Sequence, residues 1–478
     1  MIKKWLCVGL LLACATAGAQ SLKQLKHQPP DGAGIVFLLT DGTVLAQGGS
    51  ESDWWKLTPD ITGSYQNGTW SQMASLPSGY VPDAFSSAVL ADGRLVIVGG
   101  EYNFGNFELT NLAAIYDPAK NTWTPLAAPK NWSYIGDSPA LVLPNGMFFI
   151  GDKLVKADAA LDPKTLKWIS GTPPGKSDFN AEEGFTLLPD GTVITADVKN
   201  APNSEIFNPA TKTWTSAGST IVDLHSPSPF GCLPFGPNGQ YCYYPPGEIG
   251  PAILRPDGTV FFTGSTPQGG TSGNTAIYTP GANGAIGTWA VGPSFPSGDD
   301  AGDEFAALLP NGNVLVDGNS GYSYEFNGTT LKRGPATEGG SLMVLPTGEV
   351  LVGGSELYES TGTYQQSWAP TITTAPTTVT RGSTYQISGT QFNGLSQAAA
   401  FGDEYQTATN YPLVRITNQA TGHVFYAKTH DHSTMGVATG SKTVSTNFDV
   451  SSATETGAST LVVVANGIPS SPVNVTVQ

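Results

Sequence analysis

Apolar and polar positions along this chain follow a unit that repeats. A short apolar run leads into a tight turn with glycine, then a second apolar run, often a Gly-Gly pair. Later comes an aromatic–Asp/Asn/Thr–Pro turn followed by tryptophan. The clearest copies are AVLADGRLVIVGG at 88–100 and MVLPTGEVLVGG at 343–354. The turn glycines fall at Gly42, Gly93, Gly146, Gly191, Gly258, Gly312 and Gly348, about one every fifty residues. The outer signature reads Tyr116-Asp117-Pro118 then Trp123, Leu161-Asp162-Pro163 then Trp168, Phe207-Asn208-Pro209 then Trp214, and Tyr278-Thr279-Pro280 then Trp289. Blade one carries Leu57-Thr58-Pro59 and Trp70, and the last two units are weaker.

Asp-Gly and Asn-Gly supply the positive φ angles of a tight hairpin. Two continuous apolar strands per unit read as buried between neighbouring units. Gly-Gly lets backbones crowd near an axis. Tryptophan on an outer strand covers the interface to the next unit. One four-stranded blade cannot bury both faces, but a closed ring can. The pattern therefore predicts an all-β, seven-bladed β-propeller over 20–368. Helical repeats do not fit, and a β-helix needs shorter units.

From Trp368 the texture changes. Pro370, Pro376 and RGSTYQISGTQFNGLSQ open a set of strands that continues at 413–416, 423–427, 443–448, 460–465 and 473–477. This predicts an immunoglobulin-like β-sandwich over 369–478.

Composition narrows the partners. Net charge is −16, a surface that repels phosphate backbones, so nucleic acid is not an expected partner. Lys3, Lys4, an apolar stretch from Trp5 to Ala13 and Ala17-Gly18-Ala19 read as a signal peptide over 1–19, cleaved after Ala19, giving a secreted or periplasmic protein. Leu11-Leu12-Ala13-Cys14 offers a lipoprotein box as the alternative. No later run has the length of a membrane span. Cys232 and Cys242, left as a pair in an exported chain, predict a disulfide.

The Gly-Gly and tryptophan spacing resembles the kelch family over 32–368. A kelch propeller followed at once by such a sandwich is similar to the galactose oxidase and glyoxal oxidase superfamily of copper-radical oxidases. That resemblance implies a Tyr-His pair at a late inner strand, a second His on a C-terminal loop, and a Tyr cross-linked to Cys. In this chain the Tyr-His positions fall on Glu338 and Gly339. Gln406, in Phe401-Gly402-Asp403-Glu404-Tyr405-Gln406, stands where the second imidazole belongs. Copper is therefore not expected.

Carboxylates precede every inner strand instead: Asp31, Asp83, Asp137, Glu183, Glu248, Asp303 and Glu338. Such a ring converges near the axis and calls for a cation, an arginine or solvent. Calcium is the first choice, since oxygen ligands suit it. The densest group, Asp299, Asp300, Asp303 and Glu304, is the candidate metal set, set against a hydrated acidic rim. The insertion 221–247 carries His225 and Tyr241, Tyr243 and Tyr244, a candidate glycan or peptide surface. His225, Tyr243 and Glu248 are candidate catalytic residues. His430-Asp431-His432 is a further metal candidate, with His423 nearby. Two functional classes follow. One is an exported, non-oxidase propeller that binds glycan, envelope polymer or another exported protein. The other is a polysaccharide lyase or hydrolase on a degenerate scaffold. A surface-assembly role is the remaining alternative.

Overall fold

The computed structural model describes residues 20–227, 247–282, 285–296 and 298–478, with 231–233 and 241–243 described by backbone pairing alone. Residues 1–19, which include the expected leader and Cys14, and Tyr244 lie outside the described residues, as do the side chains of Cys232, Cys242, Tyr241 and Tyr243. Residues 231–233 pair antiparallel with 241–243, which sets Cys232 opposite Cys242.

Seven antiparallel sheets form the ring, six of four strands and one of five. Their innermost strands are Val36–Leu38, Ser86–Val89, Ala140–Val142, Thr186–Leu187, Ile249–Leu254, Ala306–Leu308 and Leu342–Val344, and all are buried. The first hairpin of each blade turns on its predicted glycine, with φ between 76° at Gly42 and 89° at Gly348. In six of the seven turns the preceding Asp or Asn also accepts the amide of the residue after glycine, as in Thr43 to Asp41 at 3.0 Å and Asn313 to Asn311 at 2.9 Å. Glycine supplies the left-handed angle, and the short side chain closes the turn.

The outer tryptophans act as latches. Trp123 Nε1 donates to Ala74 O at 3.0 Å, Trp168 to Ala127 O at 2.7 Å, Trp214 to Asp158 Oδ2 at 2.9 Å, and Trp289 to Ala217 O at 2.9 Å. Each reaches the preceding blade, not the following one, because the acceptor lies on or just beyond a strand of that earlier blade. The seventh blade is completed by the chain's first strand. Ser21–Gln24 pairs with Glu356–Glu359, and Leu25 is buried beside it.

After residue 370 the strands Thr371–Thr374, Thr384–Thr390, Val444–Asp449, Val424–His430, Leu413–Asn418, Gly457–Ala465 and Val473–Val477 join in one hydrogen-bonded path. They enclose a separate core that includes Ile387, Val414, Phe448 and Leu461. One segment of this unit leaves it and runs down the propeller axis. Ala399–Ala400 pairs with Ala306–Ala307 of blade six. Gln397 accepts Leu187 N of blade four at 2.7 Å, Gln406 N donates to Ser87 of blade two at 3.1 Å, and the Tyr411 hydroxyl donates to Leu38 O of blade one. The axis is therefore plugged by the chain itself.

Candidate functional site

Where the plug reaches the starts of the inner strands, it closes an acidic chamber. A cavity of about 70 Å³ is lined by Glu101, Asp137, Glu182, Glu248, Asp303, Asp403 and Glu404, with Ala84 and Phe401. Four come from loops that feed an inner strand (Asp137, Glu182, Glu248 and Asp303). Glu101 follows the Gly99-Gly100 pair, and Asp403 and Glu404 arrive on the plug. Lys153 donates to Asp137 Oδ2 and, at 2.9 Å, to Glu182 Oε1. It is the ammonium bonded into the chamber among the described residues. The carboxylate atoms of Asp137, Glu182 and Asp403 lie within 4.8 Å of one another. Two oxygens on one calcium, each about 2.4 Å from it, are at most about 4.8 Å apart, so this spacing is compatible with one shared ion.

The electrostatics are strained as they stand. Burial first, then the neighbouring acids, push Glu248 up to about 10 and Glu101 up to about 8. Burial likewise raises Asp403 and Glu404 well above the carboxylate range. Asp137 is pushed to about 6, with Lys153 opposing the rise. Asp303 reaches about 6 through desolvation of its carboxyl and the Glu182 charge, although the residue as a whole is exposed at the mouth. Burial works to raise Glu182 too, but the Lys153 ammonium and protons donated by Asp403 and Glu248 hold it low. Two oxygens, Asp137 Oδ1 and Asp403 Oδ1, are buried with no hydrogen-bond partner, in residues only 4% and 2% exposed.

The carboxylates expected from sequence divide. Asp137, Glu248 and Asp303 line the chamber. Asp83 accepts the Tyr405 hydroxyl at 2.6 Å, Asp31 accepts Ser50 N at 3.1 Å, and Glu338 accepts Ser355 Oγ at 3.0 Å. Glu183 is displaced by its neighbour. Glu182 adopts φ 56° and takes the chamber position, while Glu183 joins a second, closed knot around Lys176. There Lys176 donates to Asp178 at 3.2 Å, Glu183 at 2.8 Å and Glu205 at 2.7 Å, all buried.

The group Asp299, Asp300, Asp303 and Glu304 does not converge. Asp299 accepts Ser320 and Tyr324, and Asp300 accepts Thr266 Oγ1 at 2.6 Å and Asn319 at 2.8 Å. Only Asp303 of the four lines the chamber. His225 pairs through Nδ1 with Asp223 of its own loop, not with Glu248 or Asp303, although Ser226 N bonds Glu248 O at 3.0 Å. His430 and His432 take different partners, Asp431 and Asp449 for the first and Thr446 for the second, after Asp431 turns to φ 51°. His423 pairs with Glu455 at 2.6 Å. Glu101, Glu182, Asp403 and Glu404 were absent from the sequence-based set. The last two sit in the same Phe401–Gln406 stretch that the resemblance matched to a histidine-bearing loop.

Fold and site together define a closed β-propeller whose axis is plugged by a C-terminal segment and carries a carboxylate chamber. No family model matches the chain. The chain is similar to a galactose oxidase of Gibberella zeae, 26% identical over 250 residues, which are 50% of this chain and 35% of that protein. It thus spans about a third of the length of the curated relative. Among solved structures, a fungal alcohol oxidase in complex with copper aligns over 97% of this chain and 100% of its own, with a TM-score of 0.52 and 12% identity. Virginiamycin B lyase from Staphylococcus aureus aligns over 71% of this chain and 97% of its own, with a TM-score of 0.45 and 12% identity. The likeness to the oxidase is one of fold. Its copper does not fit the donors here: among the described residues the chamber offers carboxylates and one ammonium, with no imidazole, phenol or thiolate. Gln406, at the expected imidazole position, bonds Gln397.

Proposed function

We propose that this chain is an exported binding protein that holds a hard divalent cation, calcium first, in the axial chamber. Through that cation it takes glycan or envelope polymer, and it is not a copper-radical oxidase. The observation that carries the reading is the surplus of acid: among the described residues seven carboxyl groups meet one ammonium, and two of their buried oxygens have no partner. Two like charges 4 Å apart would cost about 4 kcal/mol at an effective dielectric near 20, so several of these acids hold protons instead, and a bound cation would let them ionise together. Hard cations of this kind take six to eight oxygens, and the chamber supplies only oxygens as anionic donors. Export follows from the leader read in the sequence.

Metal analysis of the purified protein, with calorimetric titration of calcium, magnesium and manganese, tests the site. The expected result is bound calcium and stabilisation of about 2.7 kcal/mol at a hundredfold excess over Kd, lost in Asp403→Asn. No bound metal, together with an unchanged melting temperature on adding calcium or EDTA, sinks the proposal.

A further inference from the structure

Next to the chamber the chain builds a small hairpin that lies outside the four strands of blade two. Glu101 lines the chamber, and the residues after it fold back at once. Tyr102–Asn103 pairs with Asn106–Phe107 on one side and with Pro82–Asp83 on the other. The hairpin is firmly held. Val81 N donates to Asn103 Oδ1 at 2.9 Å, Phe104 N to Val81 O at 2.9 Å, and Glu108 N to Glu101 O at 2.8 Å. Yet its rings face outwards: Tyr102 is 36% exposed, Phe107 41% and Phe104 57%. Tyr102 and Phe107 meet edge to face at 5.9 Å.

The turn itself is unusual in its chemistry. Phe104 has φ 53° and Gly105 φ 67°, so both central residues of a two-residue loop are left-handed. Such a turn favours Asn-Gly, and an aromatic at its first position is strained. An exposed ring kept in a conformation that disfavours it contributes neither burial nor backbone ease, which directs attention to a ligand. Tyr102 directly follows Glu101 of the chamber wall and pairs in register with Asp83, so the hairpin starts at the edge of the chamber.

The occupant follows from what meets here. Exposed rings take a flat, CH-rich face. A hard cation beside them takes hydroxyl oxygens. A chain with net charge −16 and an acidic rim disfavours polyanions. We propose that the 101–107 hairpin is the stacking platform of the site, and that its ligand is a neutral pyranose whose vicinal hydroxyls complete the shell of the chamber cation. The inference rests on the cation reading of the chamber.

Phe104→Asn tests it, because asparagine is the residue such a turn prefers. Binding of a soluble mannan and a soluble β-glucan, with alginate as the anionic counterpart, is measured by calorimetry in calcium. Calcium binding is titrated in parallel. The wild type is expected to bind at least one neutral polysaccharide. The variant is expected to bind it at least fivefold more weakly, melt higher, and keep its calcium affinity within twofold. Equal binding by the variant, binding of neither neutral polymer, or binding of alginate alone overturns the platform. Loss of calcium binding in the wild type, with polysaccharide binding still dependent on Phe104, overturns the cation reading and leaves the platform standing.

Discussion

Lys153 occupies the ground an incoming cation needs. Its ammonium holds Asp137 and Glu182, two of the three carboxylates that come within 4.8 Å of one another. Burial works against its charge, but the surrounding acids outweigh that and raise it above the usual lysine value. It is a tethered counter-ion that repels a divalent ion at the same oxygens. Lys153→Met is therefore expected to tighten calcium binding at least tenfold while lowering the stability of the calcium-free protein. Calorimetric titration with parallel denaturant unfolding checks both. A variant that binds calcium more weakly would show that the ammonium assists the site. At this scale the sequence was legible where chemistry is local. The hairpin glycines and their Asp or Asn partners act within four residues, so spacing alone identifies them. The choice between Glu182 and Glu183 was not legible, since a single left-handed φ decides which carboxylate enters the chamber. Asp299 and Asp300 read as ligands because they are adjacent acids, whereas the groups that claim them lie about twenty to thirty-five positions away, Ser320, Tyr324 and Asn319 further along blade six and Thr266 on blade five.

Among the elements, the axial plug joins fold to site. It borrows an edge on blade six, fixes blades one, two and four, and delivers Asp403 and Glu404 to the chamber. Its contact with the ring has no room to spare: a Cβ on Gly184 would stand 2.3 Å from Gly402 O, backbone against neighbouring backbone. Gly184→Ala is expected to destabilise the protein by about 1–3 kcal/mol through overpacking. It should also weaken calcium binding, because the plug must shift and carry Asp403 with it. Denaturant midpoints and calcium titration measure the two effects, and unchanged values in both would show that the plug adjusts freely. Repeats made the blades readable, because each copy restates the same turn chemistry. The plug has no repeat to announce it, and its pairing with Ala306–Ala307 joins segments far apart in sequence. The resemblance to the oxidases matched residues 401–406 to a ligand-bearing loop, and the acids inside that stretch were the overlooked signal.

The molecule as a whole carries more buried acid than the chamber uses. Asp152, Asp158 and Asp317 are each pushed up to about 7, burial being the leading cause. In an unfolded chain they titrate near 4, so between about 4 and 7 the folded form holds protons that the unfolded form has lost. Their contribution to stability is thus full below about 4 and is lost as pH rises through 7. Unfolding midpoints are expected to fall from pH 5 to pH 8 with calcium absent, and Asp158→Asn is expected to flatten that slope. A slope that the variant leaves unchanged would remove Asp158 from the account. The closing of the ring also sets an order of assembly. Ser21 and Glu359, joined across the seventh blade, stand 338 residues apart. A chain that emerges from its amino end presents the closing strand first and that strand's partner only when six blades have followed. The plug, from about residue 396, comes later still. Contacts of such separation form slowly, and the waiting edge strand is open to wrong pairing. Ring and filled axis can therefore arise only once the stretch from Ser21 to about residue 411 has been made, which makes folding of the propeller an event of that whole stretch and not of successive blades.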